Sequence, residues 1–295
     1  MLVLANFPSS EMLTLTDEEK NLVCQQMGGV KFYSFAELGL FKKHRGFDPR
    51  YISHFMYLPI IAHKLNNYHY TKLYEHKSLL GTLSKDIRFA ECYVRCIDQE
   101  YYNDQMNQLS REKVIHICST KDTLIIKDSV DSAGGQSVEK LVLSGLSANE
   151  KKDSLNRVLN ERKRDFVIQE CIKQHPSMAK FNESSINTFR VTSLYLNGRF
   201  STLSIILRFG KQGMAVDNWG SGGIIIGVSP EGKLSDFGYD IQLNKFYEYN
   251  GITFRNEVIA QIPSLLKRIE DWHRNSFSLC KFIGWDICFY GKQSF

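Results

Sequence analysis

The stretch that decides the fold is Gln174-His175-Pro176 followed by Asn182-Glu183-Ser184-Ser185-Ile186-Asn187-Thr188-Phe189-Arg190-Val191. Its last residues form a β-prone run in which Arg190 points to the face opposite Phe189 and Val191. A guanidinium set into an apolar strand calls for a carboxylate or a phosphate. A structural ion pair answers that need as well as an anionic ligand does. The run continues to Leu196, and Asn197-Gly198 joins it to a second strand, Phe200 to Arg208. Asn-Gly between hydrophobic runs is the strongest short hairpin signal.

Working outward, Phe166 to Gln169 reads as a strand that meets polar groups at Glu170, where main-chain groups can pair with a base and Glu170 or His175 can reach a ribose. A solvated strand end is the plainer alternative. Further upstream, the apolar run Thr123 to Lys127 ends in a lysine, and the loop Asp131-Ser132-Ala133-Gly134-Gly135-Gln136-Ser137 follows. An ammonium at a strand end is costly to bury alone, and such a loop can turn backbone N–H groups toward a phosphate. A snorkelling lysine before a surface turn fits the same residues. The lysine precedes the glycines, so this is not a Walker A loop, and the kinase motifs are absent too. Downstream, Arg208-Phe209-Gly210 leads to Asp217-Asn218-Trp219-Gly220-Ser221-Gly222-Gly223, a loop of small and polar residues. Gly223 to Val228 is an apolar strand, Ile262 to His273 an amphipathic helix and Phe282 to Phe289 a final strand. In that strand Asp286 sits among apolar neighbours, which is costly unless it is paired or metal-bound, and this makes it a magnesium-ligand candidate.

The first third reads as helical. Thr16 to Glu19 and Ser34 to Glu37 are capping-box patterns, the first ahead of a helix ending at Gly28-Gly29 and the second ahead of one ending near Gly46. Asp48-Pro49 predicts a helix over 49–65, kinked at Pro59. Val114 to Cys118 reads as a short β-prone run, and Ser147 to Glu150 opens a capped helix through about Arg162. Hairpins mixed with helices, without βαβ alternation, indicate an α+β protein.

At 295 residues, 43% hydrophobic and 23% charged, the chain is long enough and apolar enough for a sizeable core. Its net charge of +5 suits an anionic ligand or simply a soluble surface. The basic residues are scattered apart from Lys42-Lys43-His44-Arg45, so no nucleic-acid partner is expected. The seven cysteines lack metal-site spacing, although Cys92 and Cys96 would share one face of a helix. They read as reduced thiols of a cytoplasmic protein. No run is long enough for a transmembrane segment.

Taken in order, the lysine strand with its glycine loop, the Gln-Glu strand, Asn-Thr-x-Arg-Val, the arginine strand with Asp-Asn-x-x-x-Gly-Gly, and Gly-x-Asp-Ile resemble the ATP-grasp superfamily. Gln174-His175-Pro176, Asn182 to Val191 and Val216-Asp217-Asn218-Trp219 with its Gly-Gly resemble the sugar-transfer-associated family within it, over roughly residues 70 to 290. The resemblance implies an ATP-grasp fold of two α+β lobes clamping ATP. A helical N-terminal region (1–75) precedes a small lobe (76–178) and a large lobe (179–295).

By the same resemblance, Lys127 and, more loosely, Lys77 contact phosphate. Ser132, Gly134, Gly135 and Ser137 close over the phosphates, while Gln169, Glu170, Ile172 and His175 border adenine and ribose. Arg190, Arg208 and Asn218 stand at the transferred phosphoryl group, and Asp286 binds Mg2+. The implied reaction is ATP-dependent ligation of a carboxylate donor to an amine or similar nucleophile on a small-molecule or sugar-linked acceptor, through an acylphosphate, in cell-surface polysaccharide modification. The alternatives are a degenerate ATP-binding accessory protein of a glycosyltransferase system and an ATP-grasp sugar kinase. Family enzymes continue after the aspartate to a Glu-x-Asn strand that completes the metal site. Neither residue follows Asp286 here, so an incomplete metal site is expected, through truncation or decay.

Overall fold

A computed structural model describes residues 13–28, 34–84, 86–130, 137–214 and 217–291. Thr16 and Glu19 form the reciprocal capping box that starts α1 (Asp17–Gln26). Ser34 accepts from the Glu37 N–H to start α2 (Phe35–Arg45), and the basic run Lys42 to Arg45 is that helix's last turn. α1 and α2 share a small core around Leu15, Val23 and Leu38. The helix expected from Pro49 begins later. Asp48 is occupied by the Arg50 guanidinium at 2.6 Å, and Ser53 is the cap that opens α3 (His54–Met56). Glu37, buried at 3% exposure, accepts from the His54 N–H at 2.7 Å and ties this helix to α2. α3 runs through a π-turn, Tyr57–Ala62, that contains Pro59, into α4 (His63–Leu65). Pro59 lacks an N–H, and a widened turn takes up the lost bond. α5 (Tyr68–Glu75) and α6 (Lys77–Leu83) complete the helical region.

The first lobe contains β1 (Cys92–Ile97), β2 (Glu100–Tyr102), β3 (Gln108–Leu109), α7 (Arg111–Ser119), β4 (Thr123–Asp128), β5 (Glu139–Val142), α8 (Ala148–Glu161) and β6 (Phe166–Glu170). Its antiparallel sheet runs β3-β2-β1-β6-β4-β5. Val114 and Cys118 of α7 and Leu155, Val158 and Leu159 of α8 pack on it. Val114 to Cys118, expected as strand, is therefore helix. Ser110 caps it by accepting from the Lys113 N–H, and the i, i+4 pair Val114 and Cys118 reaches the core. Cys92 and Cys96 share a face of strand β1 rather than of a helix. All seven cysteines are unpaired with one another, four of them buried.

After the short α9 (Pro176–Ala179) comes the second lobe: β7 (Thr188–Leu196), β8 (Arg199–Phe209), β9 (Ile224–Val228), β10 (Leu234–Tyr239), β11 (Lys245–Phe246), a hairpin of β12 (Glu248–Tyr249) and β13 (Ile252–Thr253), α10 (Ile262–Asn275) and β14 (Phe282–Ile287). The sheet order is β11-β10-β9-β8-β7-β14. Asn197 and Gly198 turn β7 into β8 with φ of 52° and 76°, the geometry of a two-residue hairpin turn. α10 buries Ile262, Leu265, Ile269 and Trp272 against one face of this sheet. The helical region docks on the edge strand β14. The Asn66 side chain donates to the Phe282 carbonyl at 2.7 Å and accepts from its N–H at 3.0 Å, covering an otherwise open sheet edge. Tyr57 packs on Phe282 and Tyr74 on Phe277.

Candidate active site

The lobes face each other across a cleft of about 620 Å³. Its walls include Lys77 from α6, Lys127 from the first lobe, Ile172 from the connection, and Asp286, Cys288 and Tyr290 from the second lobe. A smaller cavity of about 340 Å³ adjoins it, sharing Lys77 and Lys127 and adding Cys92, Arg95 and Gln169.

Lys127, next to last in β4, lies opposite Val167 of β6. Burial, reinforced by the nearby Lys77 ammonium, pulls its pKa below the ordinary lysine value. Lys77 opens α6, and its backbone N–H donates to the Ser129 carbonyl at 2.9 Å. The two cations are thus brought together by one strand end and one helix start. Arg95, which the sequence reading passed over, holds that helix start. It is 2% exposed, and its guanidinium donates to the Ser78 carbonyl at 2.7 Å, the Asn103 carbonyl at 2.8 Å and Asp104 at 2.6 Å.

Gln169 is 7% exposed, and its Oε1 has no hydrogen-bond partner among the described residues. A buried acceptor lining a cavity without a donor is a position that a ligand N–H satisfies. One oxygen of Glu170 accepts from the Glu91 N–H at 2.9 Å. The His175 ring is used as a helix cap: its Nδ1 meets the Ser177 N–H at 3.2 Å and the Ser177 hydroxyl at 2.7 Å. Burial pushes the Cys92 thiol up to about 11, so it stays protonated at neutral pH. Ser132, Gly134 and Gly135 lie outside the described residues. The Ser137 hydroxyl is buried with no partner among the described residues, while its carbonyl accepts from Arg162 at 3.2 Å.

On the second lobe, Arg190 of β7 lies directly across from Asp286 of β14. The guanidinium grips the carboxylate with both ends, Nε–Oδ1 at 2.6 Å and Nη2–Oδ2 at 2.8 Å. These bonds to Asp286 raise the Arg190 pKa. Arg208 of β8 adds a third contact, Nη2–Oδ1 at 2.9 Å. Behind it, Thr188 accepts from Arg208 at 2.7 Å and donates to Asp217, and Asp217 lies 3.5 Å from the Arg208 Nε. Burial raises the Asp217 pKa, partly offset by the Thr188 bond and the Arg208 charge. Thr188 and Asp217 thus join the predicted arginines. Asp217 was legible only as the neighbour of Asn218. Asn218 itself builds the turn, accepting from the Gly220 N–H at 3.2 Å. The Gly-Gly that follows is required by space: a Cβ on Gly223 would stand 2.7 Å from the Asp217 carbonyl oxygen.

Two α+β lobes, with Lys77, Lys127 and Asp286 lining one cleft, are the arrangement of an ATP-grasp fold. The sugar-transfer associated ATP-grasp family matches residues 61–293, and the chain belongs to that family. No match is found among curated proteins. Among solved structures, D-alanyl-alanine synthetase A from Vibrio cholerae is similar, at 9% identity and a TM-score of 0.23, over 53% of this chain and 50% of its own length. The chain spans about half the length of that protein. Among the described residues, no helix is long and apolar enough to cross a membrane.

Proposed function

We propose that this protein is an ATP-dependent ligase that activates a carboxylate and passes its acyl group to an amine or similar nucleophile on a sugar-linked acceptor. The observation that carries the reading is the cleft between the lobes, lined by Lys77 and Lys127 and floored by the carboxylate that Arg190 and Arg208 hold. The residues present fit ATP. Lys127 is a half-buried ammonium whose charge is disfavoured until an anion arrives, which is the electrostatic state a phosphate relieves. Gln169 Oε1, in the adjoining cavity, is an acceptor without a partner among the described residues and is suited to the amino group of adenine, and Ile172 lines the cleft with apolar surface. In this reading the connection after β6 borders the base, the two lysines hold phosphates, and Arg190 and Arg208 offset charge on the transferred phosphoryl group. A carboxylate oxygen attacks the γ-phosphorus and ADP leaves. The nucleophile then attacks the acyl carbon, and inorganic phosphate leaves with the bonding electron pair.

Magnesium fits less well. Both oxygens of Asp286 are committed to guanidinium groups, and among the described residues no three His, Cys, Asp or Glu side chains converge on a metal-sized site. That observation favours a second reading, a nucleotide-binding accessory protein of a glycosyltransferase system with little turnover.

The test is calorimetric titration of ATP, with and without magnesium, into the full chain and into Lys127→Ala. Binding by the wild type, weakened at least about tenfold in the variant, is expected from loss of a buried charge contact to phosphate. A wild-type chain that binds no ATP overturns both readings. ADP release that requires a carboxylate and an amine together separates the ligase from the accessory protein.

A further inference from the structure

Asp286 and the two arginines form a closed set. Register brings Asp286 opposite Arg190, and two charge-assisted hydrogen bonds of 2.6 and 2.8 Å from Arg190 and an ion-pair contact of 2.9 Å with Arg208 take both carboxylate oxygens. Divalent magnesium prefers six oxygen donors in near-ideal octahedral geometry. A cation at Asp286 would stand beside two guanidinium groups that already neutralise it. A second carboxylate that feels Asp286, Asp217, is bonded to Thr188 and faces Arg208 as well. The Arg190 and Asp286 side chains are 40% and 47% exposed, whereas those of Arg208 and Asp217 are 17% and 18% exposed, and Asp286 lines the cleft. An anion arriving from the cleft therefore reaches the Arg190–Asp286 pair first.

We propose that Asp286 is a resident counter-anion, which occupies the paired guanidiniums while no ligand is bound and is displaced from them by an incoming oxyanion, phosphoryl or carboxylate. The inference rests on the nucleotide reading only for which anion arrives. The double-arginine site itself is an oxyanion site whatever the remainder of the ligand. Two guanidiniums aligned by adjacent strands match the oxygens of a tetrahedral or planar anion as they now match a carboxylate. The neutral set Arg190–Arg208–Asp286–Asp217 then gains net positive charge where the ligand's negative charge sits. Asp286 thus lowers anion affinity while keeping the arginines ordered and in register.

The experiment is calorimetric titration of pyrophosphate, with EDTA present, into the full chain, Asp286→Asn and Arg190→Gln. Asp286→Asn is expected to bind about three- to tenfold more tightly than wild type, the size of a half-exposed bidentate ion pair that no longer has to be broken. Arg190→Gln is expected to bind at least about tenfold more weakly. Asp286→Ser gives the same reading should the amide disturb β14. A parallel titration with Mn2+ alone is expected to be unchanged by Asp286→Asn. Pyrophosphate binding that is equal or weaker in both Asp286 variants, no pyrophosphate binding by any chain, or Mn2+ binding that Asp286→Asn abolishes would each overturn the proposal. If the pyrophosphate pattern holds while ATP fails to bind, the nucleotide reading is what has failed.

Discussion

Replacing Arg95 by methionine tests how the fold delivers Lys77 to the cleft. The substitution keeps most of the stem volume and removes every donor. Three acceptors lose their partner, and they differ in what replaces it. Asp104 has a 59% exposed side chain and rehydrates at little cost. The Asn103 carbonyl lies at a half-buried turn and gains water in part. The Ser78 carbonyl belongs to a fully buried residue at the start of α6, and a buried unsatisfied carbonyl costs about 1–3 kcal/mol. With part of the Asn103 penalty and the imperfect packing of methionine, the sum is about 2–4 kcal/mol, near the lower end for one partner removed from a buried charge network. Urea denaturation should show that loss in the midpoint at an unchanged slope. Because Ser78 follows Lys77, loosening α6 should also weaken ATP binding about fivefold through lost preorganisation. A stability change under about 1 kcal/mol would refute the premise that Arg95 anchors the helix. Unchanged affinity alongside the predicted instability would separate the anchor from the site.

Gly223→Ala places a methyl 2.7 Å from the Asp217 carbonyl oxygen and 3.0 Å from that of Phe209, so the loop must shift, at about 1–3 kcal/mol; an unchanged melting temperature would show that the backbone gives way freely. Gln169→Leu should weaken ATP binding about tenfold while leaving the melting temperature equal or higher, since it removes a buried acceptor that has no partner; a variant that binds ATP as wild type does would remove Gln169 from the base site. His273, fully buried, bonds Ser193 through Nδ1 and the Cys280 carbonyl through Nε2, each at 2.8 Å, and burial holds its pKa below the ordinary 6.5. The unfolded chain therefore takes the proton more readily, and this residue's contribution is complete above 6.5 and declines as pH falls below it. His273→Gln should cost stability at neutral pH, with a gap to wild type that narrows on acidification; a gap that is constant with pH would show that His273 does not titrate in this range.

Elements with a local signature were legible: the capped helices α1, α2 and α8, the Asn-Gly hairpin of β7 and β8, and the amphipathic α10. Those without one were not. The β1–β2 hairpin turns on Asp98 and Gln99 at φ of 49° and 66° without a glycine to announce it. In α7, a run rich in β-branched residues is helical because its cap and its i, i+4 burial outweigh weak strand propensity. In the site, the sequence shows that Arg190 needs an anion but not which one, since its partner Asp286 lies 96 positions away and meets it only through the pairing of β7 with β14. Thr188 was read as part of a strand motif, and its role at Arg208 depends on cross-strand register. Arg95 carries no signal in the sequence, because its partners are two main-chain carbonyls and an exposed aspartate.

The residues that mark the family by their spacing turn out to be largely scaffold, and this accounts for the spacing. The Gln174 side chain donates to the carbonyls of Asn182 and Ser185, each at 2.7 Å, and accepts from the Asn187 N–H at 3.0 Å. Asn187, fully buried, donates to the Met178 and Asn182 carbonyls at 2.7 and 2.9 Å. The His175 N–H donates to the Phe289 carbonyl at 2.8 Å, which ties the start of the loop to the segment just after β14. Together these bonds set where β7 begins relative to β14. A strand shifted by one residue turns every side chain to the other face, so such a slip would bury Arg190 among the residues that pack on α10 and expose Phe189 to the cleft. The polar loop before β7 therefore acts at a distance from any ligand: by fixing one register, it places Thr188 beside Arg208 and Arg190 opposite Asp286.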